Sequence, residues 1–132
     1  MPEMKLQDLK AKSPDVVKRF LKAQKEALLY ASLHPDVANG WFREPAAAKA
    51  LSPDIVATAT AFDPMWGAKN LGDLRLAMTP AEMARYVGLG EKATDLKIYP
   101  KVPPVMQKTD MAIAAELDKE TWSFDPATVK VK

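Results

Sequence analysis

Apolar side chains recur with helical spacing from residue 14 to residue 33, and polar side chains separate them. One stripe of this segment holds Val16, Phe20, Ala23, Ala27 and Tyr30, and Val17, Leu21, Leu28 and Ala31 widen it. Such a stripe is typical of an amphipathic helix that buries one face in a core. Lys18, Lys22 and Lys25 fall on the opposite side. We therefore expect a long core helix whose basic side is solvated or, as the alternative, meets phosphates or anionic lipid.

Four short motifs built on proline mark the starts of helices. They are Ser13-Pro14-Asp15, His34-Pro35-Asp36, Ser52-Pro53-Asp54 and Thr79-Pro80-Ala81-Glu82. A Ser or Thr side chain at the N-cap accepts a hydrogen bond from a free backbone N–H, and proline suits the first helical position. An acidic residue just inside the helix lies at the positive end of its dipole. The motifs are unevenly spaced, which predicts unequal helices with similar caps rather than a solenoid of equal repeats.

The other segments are shorter, and their patterns predict helices separated by turns. The predicted elements are a helical turn within residues 1–12 through Leu6 and Leu9, a helix from Pro35 that Asn39-Gly40 interrupts or ends, a small Ala-rich segment over 46–51, a helix over 53–62, turns over 63–73, a helix from Pro80 that ends at Gly88-Leu89-Gly90, and a last helix from 105 or 109 to 120. Residues 129–132 alternate like an edge strand, but no other segment has a sustained period of two.

Three prolines within residues 97–105 exclude a regular helix there and favour an extended or polyproline backbone. The fold class that follows is all-α. We predict a single domain over residues 1–132, built as an irregular bundle of five to six short Pro/Ser-capped helices with a Pro-rich extended segment near 97–105.

Composition narrows the functional classes. The chain is 48% hydrophobic and 27% charged, as globular proteins are. Its net charge of +2 divides evenly between the two halves, whereas a nucleic-acid module concentrates basic residues, so no nucleic-acid partner is predicted. A chain with no cysteine has no thiol chemistry, and its single histidine argues against a structural zinc site. Apolar stretches are too short for a membrane span, and the first residues hold no secretion signal.

Three tryptophans are the candidate ligand or interface residues, because tryptophan stacks on ligands and anchors interfaces. They are Trp41, Trp66 and Trp122, and plain core packing is the alternative for each. We assign His34 a structural role at a helix junction, and we interpret Gly88-Leu89-Gly90 as a helix stop rather than a phosphate loop. No nucleophile–base pair, acidic couple, metal set or cofactor motif stands out, so the chain is predicted to be no enzyme and to need no cofactor.

The sequence of residues 13–60 resembles that of a known family. The segment Ser13-Pro14-Asp15-Val16-Val17-Lys18-Arg19-Phe20-Leu21-Lys22-Ala23, followed by Glu26-Ala27, by His34-Pro35-Asp36-Val37-Ala38 and by Ser52-Pro53-Asp54-Ile55-Val56, is similar to the C-terminal helical region of ABC-transporter solute-binding proteins of the nitrate/sulfonate/taurine type. Those proteins have two α/β lobes and more than twice this length. The resemblance therefore implies a C-terminal fragment, or a relative that keeps only the helical part.

The resemblance also implies a function. It makes the chain part of a non-enzymatic binding protein for small anionic or organic solutes, with a small-molecule ligand and a transporter permease as partners. It implies a periplasmic or extracytoplasmic location, whereas a chain complete as given would be cytoplasmic. The alternative is a stand-alone helical protein–protein interaction module that forms a homo-oligomer, because short helices with three Trp and seven Met are suited to an apolar surface.

Overall fold

The fold is all-helical, as the sequence predicts. The structure, a computed structural model, describes residues 6–104, 107 and 109–131, and 63% of the chain is helical with no strand in the described part. Six α-helices are described: α1 Leu6–Lys12, α2 Pro14–Leu33, α3 Pro35–Phe42, α4 Pro53–Ala61, α5 Pro80–Asp95 and α6 Ala112–Asp118. Three isolated 3-10 turns, Pro64–Gly67, Leu71–Asp73 and Pro126–Thr128, complete the regular structure of these residues.

Helix α2 is the element on which most of the others pack. It contacts α1, α3, α6 and all three 3-10 turns, whereas α4 packs on α3 and on Pro64–Gly67. The hydrophobic core lies beside the second half of α2, where Leu29, Ala68 and Leu74 are buried together. Ser32 fixes the first 3-10 turn to this core, because its hydroxyl donates a 2.8 Å hydrogen bond to the carbonyl of Met65.

The predicted core face of α2 is wrong. Val16 and Phe20, from the predicted stripe, are exposed, and the buried residues of the helix are Lys25, Leu29 and Ser32. The reason is that the 63–74 turns and the C-terminal segment, residues 110–126, cover the side of α2 that carries Lys25, Leu29 and Ser32. Both supply polar partners for the polar residues of that side. The apolar stripe of the longest helix is therefore left largely uncovered.

All four proline motifs begin helices, but only two of them are capped by the predicted side chain. Ser52 Oγ accepts from the N–H of Ile55 at 3.3 Å, and Thr79 Oγ1 accepts from the N–H of Glu82 at 3.2 Å. Ser13 and His34 make no side-chain cap bond. Both follow directly on a preceding helix, and their own N–H groups donate into it, so the backbone at these junctions is set by that helix.

The predicted stop of α5 at Gly88-Leu89-Gly90 is wrong, because the helix continues to Asp95. Neither glycine has a positive φ, so neither ends the helix. Gly90 instead provides space: a Cβ there would lie 3.2 Å from Cδ of Pro103. The helix ends at Asp95 with Leu96 as its C-cap, and Lys97 follows with a φ of 58°. The N–H of Ile98 donates to Ala93 and that of Lys97 to Thr94, which is the Schellman pattern of helix termination.

Several further predictions need correction. Helix α3 continues through Asn39-Gly40 to Phe42. The Ala-rich segment forms turns, and Arg43 Nε spans them by donating a 3.0 Å hydrogen bond to the carbonyl of Leu51. The last helix is shorter than predicted, because Asp110 Oδ1 accepts from the N–H of Ala112 and sets its start. Residues 129–131 form no strand. Residues 97–104 form no regular helix, as predicted, but the predicted extended backbone is wrong for 97–101, which form turns and bends beginning with Lys97 at a φ of 58°. Residues 105, 106, 108 and 132 lie outside the described part.

Candidate functional site

The basic side of α2 faces a row of acidic residues, so its prediction as a solvated face is wrong. Lys18 Nζ lies 2.7 Å from Glu116, Lys22 Nζ lies 3.4 Å from Glu120, and Lys25 Nζ lies 3.4 Å from Asp118. The hydrogen bond that Lys18 donates to Glu116 raises the pKa of Lys18 above its ordinary value. Lys10 of α1 forms a further pair of this row with Asp110. The hydrogen bond that Lys10 donates lowers the pKa of the Asp110 carboxyl. This ladder of ion pairs holds the C-terminal segment on α2.

The Lys25–Asp118 pair is the most buried pair of the ladder, with its side chains 4% and 17% exposed. The Asp118 carboxylate also accepts from the N–H of Leu76 at 2.9 Å and from that of Ala77 at 2.9 Å. One carboxylate thus joins α2, α6 and the segment before α5, and its hydrogen bonds compensate for removing the two charges from water.

Trp122 is the candidate tryptophan with the most polar surroundings. Its Nε1–H donates to Glu26 Oε1 at 3.0 Å, and its ring centroid lies 5.2 Å from Lys22 Nζ and 5.4 Å from Lys25 Nζ. Ammonium groups at this distance from an indole face are attracted to its π electrons. Trp122 therefore contributes to the attachment of the C-terminal segment to α2.

A cleft of about 470 Å³ opens beside Trp122, between α2, the 69–74 turn and residues 118–126. Its lining includes the apolar side chains of Leu29 and Phe124 and the charged side chains of Lys69 and Lys119. Within the described ranges neither Lys69 nor Lys119 has an ion-pair partner. Asp118 and Glu120 also line the cleft, but each is paired with a lysine of α2, so the charges left without a partner there are positive.

The structure does not bring the three tryptophans together. Trp41 stacks on Tyr30, with ring centroids 6.2 Å apart, and Trp66 contacts Phe42, with centroids 5.9 Å apart. His34 also packs on Tyr30, with centroids 4.5 Å apart, in keeping with a structural role at the junction of α2 and α3. Of the three candidates, only Trp122 lines the cleft.

Three features that mark functional sites are metal-ligand clusters, membrane-spanning helices and buried polar atoms without a partner, and the described residues show none of them. Among them no group of three or more His, Asp or Glu side chains is placed to hold a metal ion. Over the same residues, no helix has the length and hydropathy that crossing a membrane requires. Every buried side-chain N or O atom of the described part has a hydrogen-bond partner, so no orphaned group points to a missing ligand.

Exposed apolar surface is the most unusual property of the fold. The accessible surface of this 14.5 kDa chain is 10200 Å². A compact monomer of that mass exposes about 6,900 Å². Phe62 is 83% exposed and Leu89 is 66% exposed, and Phe20, Leu96 and Ile98 are similarly open. The excess counts polar and apolar atoms together, and the exposed large apolar side chains are the part of it that favours contact with a partner.

Comparison of the chain with protein-family models, with curated proteins and with solved structures gave no match. The fold and the site therefore define the class of this protein only as an all-helical domain with exposed apolar side chains and a solvent-open cleft beside Trp122.

Proposed function

We propose that this chain is a non-catalytic helical module that works by packing against another folded protein surface. The observation that carries the proposal is the accessible surface, which exceeds that of a compact monomer by roughly 3,300 Å². Obligate interfaces bury about 1,000–2,500 Å² on each partner. The surplus counts polar and apolar atoms together, and exposed apolar side chains such as Phe62 and Leu89 are the part of it that favours such an interface.

The first candidate for the covering surface is an α/β lobe of a solute-binding protein. It is supported by the resemblance of residues 13–60 to that family. In this candidate α2 and its neighbours support the lobe, the solute is a small anion or organic molecule, and the membrane partner is a transporter permease in an extracytoplasmic setting. The cleft beside Trp122, with Lys69 and Lys119 at its edge, is where this chain would contact the solute.

The second candidate is self-assembly, in which another copy of the chain supplies the covering surface. One specific observation favours it: two exposed apolar stripes, one on α4 and one on α5, have neighbouring charges of opposite sign. Surfaces of this kind are complementary to each other and not to themselves.

Sedimentation equilibrium of the purified chain, together with binding of a dye that fluoresces on apolar surface, tests the proposal. A dimer of twice 14.5 kDa, about 29 kDa, supports the second candidate. A folded monomer that binds the dye supports a different covering partner, as the first candidate requires. A folded monomer that binds no dye contradicts the proposal, because its apolar surface would then be covered within one chain.

A further inference from the structure

The outward side of α4 carries an apolar stripe with acidic ends. Ile55 and Phe62 are two turns apart and lie on one side of the helix, and both are exposed. Val56, the buried residue of α4, faces α3 instead. Asp54 and Asp63 stand at the two ends of the stripe, about 13 Å apart along the helix direction. This surface is named here the α4 stripe.

A second stripe lies on α5 and has basic neighbours. Tyr86, Leu89 and Leu96 share one side of the helix and are exposed, whereas Met83 and Gly90 face inward. Arg85 and Lys92 border the exposed side, about 10 Å apart along the axis. This surface is named here the α5 stripe.

The charges around the α5 stripe leave its border basic. Glu82 is held by Arg75, whose Nη1 donates to Glu82 Oε2 at 3.1 Å. Glu91 and Asp95 lie about half a turn from the stripe, on the opposite side of α5. In the described part of the chain neither Arg85 nor Lys92 has an ion-pair partner, so both are available to a partner molecule.

We propose that the α4 stripe of one copy packs against the α5 stripe of a second copy, and that the exchange is reciprocal, which gives a two-fold symmetric dimer. Apolar side chains meet apolar side chains, and the acidic ends of one stripe face the basic border of the other at a similar spacing. Two such contacts per dimer form an isologous interface, which closes and does not grow into a filament.

The charges support a second copy as the occupant, because the acidic ends of the α4 stripe and the basic border of the α5 stripe occur on the same chain. Reciprocal exchange lets each copy cover exposed apolar side chains of both stripes, Phe62 and Leu89 among them. The inference rests on the second candidate for the function, self-assembly, and it specifies which surfaces meet.

Charge reversal on one stripe at a time tests the pairing. The first variant is Arg85→Glu with Lys92→Glu, and the second is Asp54→Lys with Asp63→Asn. Asparagine is chosen at 63 because Asp63 Oδ1 accepts from the N–H of Met65, and the amide oxygen can keep that bond. The first variant places glutamates opposite Asp54 and Asp63 in both contacts. The second removes both acidic charges and places a lysine opposite the basic border, so we expect the dimer dissociation constant of each to rise at least tenfold.

An equimolar mixture of the two variants is the decisive measurement. One contact of the mixed dimer keeps the wild-type charges, and the other joins the lysine at position 54 to the two glutamates. The mixture should therefore regain a mass of about 29 kDa under conditions where each variant is a monomer. Arg19→Glu with Lys130→Glu, a matched double reversal at exposed positions outside both stripes, should leave the mass unchanged. A mixture that stays monomeric, with both variants folded by circular dichroism, overturns the pairing.

Removal of apolar side chains is the second test, because it does not depend on charge. Phe62→Ser and Leu89→Ser should each weaken the dimer at least tenfold while the helical content stays the same, since both side chains are exposed in one copy. A dimer that both substitutions leave intact overturns the pairing of these stripes. A wild-type monomer at 200 µM (roughly the range where weak dimers form) also overturns it, and dye binding by that monomer leaves the packing function standing with a different partner.

Discussion

Lys25 and Asp118 form a buried ion pair between residues 93 positions apart, with Lys25 Nζ lying 3.4 Å from Asp118 Oδ1. The two side chains differ in how many other groups contact them. The carboxylate has backbone N–H donors besides the lysine, whereas among the described residues the lysine has the carboxylate and the indole of Trp122 as its partners. The two partners therefore should not be equally sensitive to substitution.

Asp118→Ala should lower the free energy of unfolding by about 2–4 kcal/mol, because it leaves a buried ammonium and two backbone N–H groups without their acceptor. Lys25→Met should lower it by less than about 1.5 kcal/mol, since Met fills similar volume and the carboxylate keeps its backbone donors. Urea unfolding of both variants measures the difference. Equal losses would mean that Asp118 does not act as the shared acceptor of three elements.

Ser52 and Ser13 occupy the same place in nearly the same motif, but only Ser52 caps its helix. Ser52→Ala should reduce stability by about 0.5–2 kcal/mol through the lost hydrogen bond to the N–H of Ile55. Ser13→Ala should change it by less than about 0.5 kcal/mol. Thermal unfolding of the two variants side by side checks this, and a larger loss at Ser13 would contradict the helix junction described here.

Gly88 and Gly90 provide a second matched pair, within α5. Nothing lies within 4 Å of a Cβ built at Gly88, so Gly88→Ala should stabilise the protein by about 0.5–1 kcal/mol through better helix propensity. Gly90→Ala places a methyl group 3.2 Å from Pro103 Cδ and should be neutral or destabilising. The ranking of the two melting temperatures is the readout. A stabilising Gly90→Ala would show that residue 103 does not pack on α5.

Acid should weaken the fold through Glu82. Its hydrogen bond from Arg75 lowers the pKa of Glu82 below the ordinary 4.5, so the folded chain binds fewer protons than the unfolded chain near that pH. The stabilisation is complete above pH 4.5 and is lost as the pH falls through the lowered pKa. Between pH 5 and pH 3, roughly the window that this implies, the melting temperature should fall less in Glu82→Gln than in the wild type. Identical pH profiles would exclude a contribution from this pair.

Helix positions were predictable from local signals, and helix faces were not. Proline motifs located the first residue of α2, α3, α4 and α5, because capping chemistry acts within one turn. The stop of α5 was missed because the αL residue is Lys97, where glycine is the usual signal. Which side of α2 is buried depends on Asp118 and on turns far along the chain, and the apolar period alone favoured the other side.

The same limit applies to the candidate site. Trp122 was singled out by its residue type, but Lys69 and Lys119 beside it were not, since only the fold places the 69–74 turn next to residue 119. The acidic partners of Lys18, Lys22 and Lys25 left one signal in the sequence. Glu116, Asp118 and Glu120 stand close together near the end, and a basic stripe on the longest helix needs such a complement.

The ion-pair ladder has a consequence for how the chain is made in the cell. Lys25 leaves the ribosome 93 residues before Asp118, a delay of roughly 5–20 s at ordinary rates of synthesis. During that time α2 lacks the segment that covers its inner face, and an unpaired lysine stands where the finished protein has a buried one. The nascent chain should therefore be a substrate for chaperones that bind early, until the C-terminal segment closes over the first long helix.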